Sequence, residues 1–209
     1  AGLNHNGSLS IAKKLIDNAK KAKCDAIKFQ SFLPNSRVSK KVKSEKYSEK
    51  IIGTQESINQ LFSRLSLNFK TQKKIFDYAK KKKMFLFSTP FDFKSADFLD
   101  QLGVSVFKIA SADLVNLPLI EHVAKKNKPM IISTGMSTIS EIDDAIETVR
   151  STGNKNLAVL HCNSSYPSTH AEINLKFMNN LRSLYQIPVG FSDHTTDLLA
   201  SRSAITMGA

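Results

Sequence analysis

Tryptophan is absent from the 209 residues, and cysteine occurs only twice. Two thiols, Cys24 and Cys162, are too few for a disulfide framework or a cysteine metal cage; they fit a reducing compartment and read as packing residues. No apolar run approaches the roughly 20 residues that span a bilayer, and no secretory signal pattern opens the chain. The sequence reads as soluble and cytoplasmic, with no membrane partner. Acidic residues are scarce, 18 against 30 Lys and Arg, for a formal charge of +12. That surplus raises the reading of a nucleic-acid-binding module. Yet the lysines fall in helix-like segments such as Lys13-Lys14, Lys20-Lys21, Lys73-Lys74 and Lys80 to Lys83, where a solvated helix face explains them. No aromatic platform interleaves them, so nucleic acid is not the expected partner. A basic surface would still draw anionic substrates inward.

What is present is a core: 41% of residues are hydrophobic, enough for one sizeable domain. Apolar runs recur, and nearly every one ends in polar residues. Val104 to Ile109 leads to Ser111 and Asp113, and the same ending appears at Lys28-Phe29-Gln30, Phe87-Ser88-Thr89-Pro90, Ile132-Ser133-Thr134-Gly135, Leu160-His161-Cys162-Asn163 and Phe191-Ser192-Asp193-His194. Buried strands that deliver polar groups at one end point to parallel strands converging on one active site.

Taken in order, Ala1 to His5 reads as the end of a first strand, with Asn6-Gly7 as a turn and Ser8 as a helix cap. A strand follows at Ala26 to Gln30, then an irregular stretch from Pro34 to Ser57, too long for an ordinary loop. Helical spacing resumes from Ile58 to Leu65 and from Phe69 to Ala79. Further strands are expected at Met84 to Thr89, Pro129 to Ser133, Leu157 to Cys162 and Val189 to Ser192. Helices are expected at Ser95 to Leu102, Leu119 to Ala124, Glu141 to Arg150, Leu175 to Leu184 and Thr196 to Met207, with Ser140 and Asp143 as a capping pair for the third of these. Seven strands alternating with helices call for a parallel sheet. A doubly wound sheet and a (β/α)8 barrel both fit the alternation. Site residues on the ends of so many strands select the α/β TIM barrel, truncated before its eighth strand. Both ends of the chain interrupt this pattern, so residues 1–209 read as an incomplete barrel domain.

Lys28 and Lys108 sit at polar strand ends. Each could hold a phosphate or carboxylate as a point charge, form a Schiff base with a carbonyl substrate, or snorkel toward a carboxylate. Ser88, Thr89, Ser111, Ser133 and Ser192 recur at strand ends, where hydroxyls beside backbone N–H groups suit a phosphate. His194 follows Ser192-Asp193, and the aspartate could orient its ring; one histidine cannot hold a metal alone. His5 is a second candidate ligand or simply organises its turn.

Together the segments Asn4-His5-Asn6-Gly7-Ser8, Asp25 to Gln30, Ser88-Thr89-Pro90-Phe91, Phe107 to Ser111, Ser133-Thr134-Gly135-Met136, Leu160-His161-Cys162 with Tyr166-Pro167, and Gly190 to Thr195 resemble the sialic acid synthase family. Seven collinear motifs carry the resemblance across essentially the whole chain. It implies a (β/α)8 barrel that condenses phosphoenolpyruvate with an N-acetylated amino sugar such as N-acetylmannosamine, giving a nine-carbon sialic acid and phosphate. Carried over by position, Lys28, Lys108, Asp113 and His194 are the implied catalytic residues. Thr89, Ser111, Ser133 and Ser192 are implied to join the two lysines around phosphoenolpyruvate, and Gln30 and Tyr166 to meet the sugar. His194 is the implied ligand of a divalent cation, commonly manganese, whose second histidine would lie outside this chain. The family also carries a C-terminal antifreeze-like domain, absent here, that completes the sugar site across a homodimer. Asp113 stands where the type member has a glutamate, and Ser164 where some relatives have asparagine. Legionaminic and pseudaminic acid synthases share the phosphoenolpyruvate half of the site, and a Schiff-base lyase of the neuraminate-lyase kind is the mechanistic alternative.

Overall fold

The computed structural model describes residues 1–37 and 57–209, so most of the irregular stretch from Pro34 to Ser57 lies outside the described residues. The chain forms two compact units, Ala1–Val104 and Ser105–Ala209.

In the first unit, Ser8 caps helix α1 (Leu9–Lys21) by accepting from the Ile11 N–H at 3.3 Å. Strand β1 (Ala26–Ser31) pairs in parallel with β2 (Phe85–Pro90), Lys28 opposite Phe87 and Gln30 opposite Thr89. Strand side chains alternate, so Ile27, Phe29 and Leu86 share one face and Lys28, Gln30 and Thr89 the other. The apolar face packs with Ala12 and Ile16 of α1 and with Ile75 and Ala79 of the helix Phe69–Lys81. Between β1 and that helix lie α2 (Pro34–Arg37) and α3 (Ile58–Leu65), the latter opened by a Ser57–Gln60 capping box. The helix Phe69–Lys81 is α4, and α5 (Phe93–Gln101) follows β2. The strand expected over Ala1 to His5 is reduced to one bridge, Gly2 to Phe29. The chain there turns on itself instead, with Asn4, Asn6 and Ser8 each donating backbone N–H groups to the carbonyl three residues back.

In the second unit, β3 (Phe107–Ile109), β4 (Met130–Ser133), β5 (Leu157–Cys162) and β6 (Val189–Ser192) run parallel, each beside the next. The regular ladder begins later than expected, at Phe107, and a 3-10 turn (Ser111–Asp113) ends the element. Phe107, Ile109, Met130, Ile132 and Val159, all at most 1% exposed, form the helix-facing layer. Register places Ser133 opposite Leu160 and Cys162 opposite Ser192, so Lys108, Ser133, Cys162 and Ser192 line the other face. The helices of this unit are α6 (Leu117–Ala124), α7 (Ile139–Ser151), α8 (Phe177–Tyr185) and α9 (Leu199–Thr206). The capping pair of α7 is Thr138 with Glu141, not Ser140 with Asp143. Glu141 reaches back to the Thr138 N–H at 2.7 Å, while Asp143 accepts from the Tyr185 hydroxyl at 2.7 Å and ties α7 to α8. Among the described residues no helix is long and apolar enough to cross a membrane.

Candidate active site

The polar face of the first unit carries three of the expected site residues. Lys28 lies on the solvent-poor side of β1, and burial pushes its ammonium below the ordinary lysine range. Gln30 accepts from Arg37 Nη1 through Oε1 at 3.1 Å. Thr89 is 1% exposed, and among the described residues its hydroxyl has no hydrogen-bond partner. Ser88 does not join them. One residue earlier on the strand, it points to the helix side, where its hydroxyl meets Ser31 Oγ at 2.8 Å and Ser31 donates to Gln72 Oε1 at 2.6 Å. His5 organises its turn: Nδ1 accepts from the Gly7 N–H at 3.1 Å, the ring stacks on Phe29 with centroids 5.9 Å apart, and burial holds its pKa below the usual histidine value.

In the second unit the strand ends of β3 to β6 carry the remaining residues. Lys108 is 5% exposed and donates to the Ile109 carbonyl at 2.6 Å and to Ser133 Oγ. A buried ammonium is a point charge suited to an anion. Beside it, Ser111 Oγ accepts from the Gly135 N–H at 3.0 Å, which leaves the serine proton to donate. A side chain on Gly135 would meet Ser164 Oγ at 2.4 Å and Ser111 Oγ at 2.9 Å, so the absence of a Cβ lets two hydroxyls flank one backbone N–H. The 3-10 turn following β3 puts Asp113 two residues beyond Ser111. Ser192 ends β6, half-buried.

His194 lies just past β6. Its Nδ1 is 2.6 Å from the Asn163 carbonyl, which can only accept, so Nδ1 carries the proton and Nε2 keeps its lone pair. The aspartate expected to orient this ring is occupied elsewhere. Burial alone would raise the Asp193 pKa, but the Ser201 hydroxyl and the Thr195 N–H outweigh it and hold the carboxyl below the usual range. Tyr166 covers His194 with ring centroids 4.1 Å apart, and Cys162 Sγ sits 3.9 Å from Nδ1, a packing contact. The loop after β5 borders an open cavity of about 530 Å³ lined by Cys162, Asn163, Ser164 and Glu172 among others. His161 belongs to the core, with Nε2 2.6 Å from the Ile173 carbonyl. Cys24, expected to pack, is exposed. Sequence reasoning missed Asn163, Gly135 and Arg37. The first two sit inside quoted motifs, but nothing in their identity announces a carbonyl that sets a tautomer or a missing Cβ that admits two serines.

In each unit, polar side chains lie on one face of parallel strands and at their C-terminal ends, as in α/β barrels. Over 100% of the chain, the fold matches an N-acetylneuraminic acid synthetase of Leptospira borgpetersenii, solved with citrate, at a TM-score of 0.89 and 32% identity, covering 68% of that chain. The fold is accordingly α/β, a partial TIM barrel. The NeuB family model matches residues 15–209, and the chain belongs to the NeuB family. An N,N'-diacetyllegionaminic acid synthase of Campylobacter jejuni is 41% identical over 211 aligned positions, and a pseudaminic acid synthase of Helicobacter pylori is 32% identical over 206. The chain spans 63% of the first relative's length and 61% of the second's.

Proposed function

We propose that the protein containing this chain condenses phosphoenolpyruvate with an N-acetylated amino sugar, N-acetylmannosamine or a relative, to give a nine-carbon sialic acid and phosphate. The observation that carries this reading is the buried Lys108 ammonium, held by Ser133 beside the Ser111 and Gly135 pair. A deeply placed cation that donates to a serine hydroxyl fits the phosphate or carboxylate of a small dianionic donor. The resemblance assigns Lys28 and Thr89 of the first unit to phosphoenolpyruvate as well.

In the reaction, carbon 3 of phosphoenolpyruvate attacks the aldehyde carbon of the open-chain sugar. Water adds at carbon 2, and phosphate leaves with cleavage of the C–O bond. Lys108, Ser133 and Ser111 hold the donor's negative charge while it redistributes, and they act where burial keeps water from screening them. Asp113, in the turn after β3, is assigned to carry a proton, and Tyr166 and Gln30 are assigned to the sugar. Nε2 of His194 is the atom that would bind a divalent cation, manganese on this reading; among the described residues no group of three or more His, Cys, Asp or Glu gathers, so other ligands must join it. When bound, such an ion supplies Lewis-acid polarisation of the aldehyde oxygen.

A second reading of the acceptor is favoured by the higher identity to the legionaminic than to the pseudaminic relative. Removing the three-carbon unit from diacetyllegionaminic acid leaves a six-carbon sugar with two acetamido groups. Incubation of the full-length protein with phosphoenolpyruvate, Mn2+ and each sugar in turn, with phosphate release as the readout, tests both readings. Release with either sugar is expected. No release with any acceptor, or a borohydride-trapped pyruvate adduct on Lys28 or Lys108, overturns the proposal in favour of a Schiff-base lyase.

A further inference from the structure

We infer that Arg37 is a positioning residue that locks the amide of Gln30 with its NH2 group turned toward the acceptor sugar. The inference rests on the reaction proposed above and adds to it the polarity of the sugar atom recognised at this point. Arg37 closes α2, and its guanidinium carbon lies 4.7 Å from the Phe32 ring centroid, 4.3 Å from that of Phe62 and 3.9 Å from that of Phe91. The rings come from three separate places, the segment after β1, helix α3 and the segment after β2. They also brace one another edge to face, Phe32 against Phe62 at 5.6 Å and against Phe91 at 6.3 Å. A planar guanidinium fits such a box, and the rings set its plane.

From this box Nη1 donates to Gln30 Oε1 at 3.1 Å. The direction follows from chemistry. A guanidinium has donors only, so the amide atom facing it must be the oxygen. The other end of the same amide is then NH2, a donor. Gln30 shares its strand face with Thr89, its register partner, whose buried hydroxyl has no hydrogen-bond partner among the described residues. Left to itself a glutamine can turn either end to a ligand; fixed by Arg37, the end turned away from the guanidinium is the donating NH2. The matching group on the sugar is therefore an oxygen, an acyl carbonyl or a hydroxyl lone pair, and an ammonium is rejected there.

The test uses the full-length protein with phosphoenolpyruvate and, as acceptors, N-acetylmannosamine and the six-carbon diacetamido sugar. Arg37→Met keeps an apolar stem among the rings and removes the donor. It is expected to raise the acceptor KM about tenfold while the phosphoenolpyruvate KM stays within about twofold. Arg37→Lys, which cannot fill the box as a plane, is expected not to restore it. Gln30→Ala alone and Gln30→Ala with Arg37→Met are expected to have the same acceptor KM, because Arg37 acts through Gln30. Additive losses in the double variant, or equal changes in both KM values, overturn the inference while leaving the reaction intact. If the wild-type protein releases no phosphate, the reaction proposal falls, and calorimetric binding of the two sugars decides the inference. Weaker binding by Arg37→Met supports it, and absence of any sugar binding to the wild type overturns it.

Discussion

Lys108 donates to Ser133 across the β3–β4 ladder, with both residues only 5% exposed. The register brings this about: Lys108 lies opposite Ile131, and Ser133 is two residues further along the same face. Truncating the serine withdraws a hydrogen bond from a buried cation. Ser133→Ala should therefore cost about 1–3 kcal/mol of stability, read by denaturant unfolding, and raise the phosphoenolpyruvate KM. Lys108→Met removes the cation itself and should lower phosphate release by about 10²- to 10³-fold. Unchanged turnover in Lys108→Met would remove this residue from the donor site.

Gly135 is the point where a single methyl group should matter. A Cβ there collides with the Ser164 and Ser111 hydroxyls, which are side-chain ends able to rotate away. The Cβ also crowds the Cys162 backbone carbonyl oxygen at 3.3 Å, so Gly135→Ala is expected to lose about 1 kcal/mol of stability and to bind phosphoenolpyruvate about tenfold or more weakly. A variant with wild-type donor affinity would show that the two serines do not contact the donor.

Gly7 makes the contrasting case. It has a φ of +72°, and a Cβ would lie 2.5 Å from the Arg64 backbone carbonyl oxygen, an atom that cannot rotate aside. Gly7→Ala should lose about 2 kcal/mol or more, with a matching fall in Tm. An unaltered Tm would mean that α3 yields at its C-terminal end.

Burial lowers the pKa of both Lys28 and His5. In each case the unfolded chain binds more protons than the folded one between the depressed folded value and the ordinary one, so stability rises with pH across that window. For His5 the window lies below about 6.5 and for Lys28 below about 10.4. Thermal unfolding should show stability falling as pH drops through the histidine window, with the slope reduced in His5→Asn. In the alkaline window, Lys28→Met should flatten the rise. Measured within that alkaline window, phosphoenolpyruvate that meets Lys28 should be bound with proton uptake, read by calorimetry in buffers of different ionisation enthalpy. Equal heats in all buffers would count against contact with Lys28.

The Asn163 carbonyl leaves Nε2 of His194 as the lone-pair nitrogen. Chelation of the full-length protein should abolish phosphate release, and Mn2+ should restore it; His194→Gln should weaken Mn2+ binding measured by calorimetry, without substrates present. Full turnover after exhaustive chelation would remove the metal from the reading.

Some of this was legible in the residues and some was not, and Ser88 and Thr89 show the boundary. Both are small hydroxyls at the end of one apolar run, and composition cannot separate them. The period of two does: once β1 and β2 are in register, Thr89 shares the face of Gln30 while Ser88 turns to Ser31 and Gln72. At Ser140 and Asp143 the local pattern suggested a cap two residues late, because Thr138 and Glu141 form an equally regular pair and their better reach wins. Asp193 was expected to steer His194 through proximity in sequence, yet Ser201 of α9, eight residues on, takes the carboxylate and a carbonyl from the neighbouring strand end takes the ring.

By itself the amino-acid sequence determined that apolar runs would become parallel strands and that Ser133 and His194 would sit at or just past their ends, since strand period and helix caps are local properties of neighbouring residues; Lys28 and Lys108 lie within the strands and not at their ends. Only the tertiary structure decided which nitrogen of His194 stays open, which end of the Gln30 amide faces outward and why position 135 has no side chain. Those outcomes depend on atoms brought within hydrogen-bond reach from distant parts of the chain, and such proximity is created by packing, not by order along the polymer.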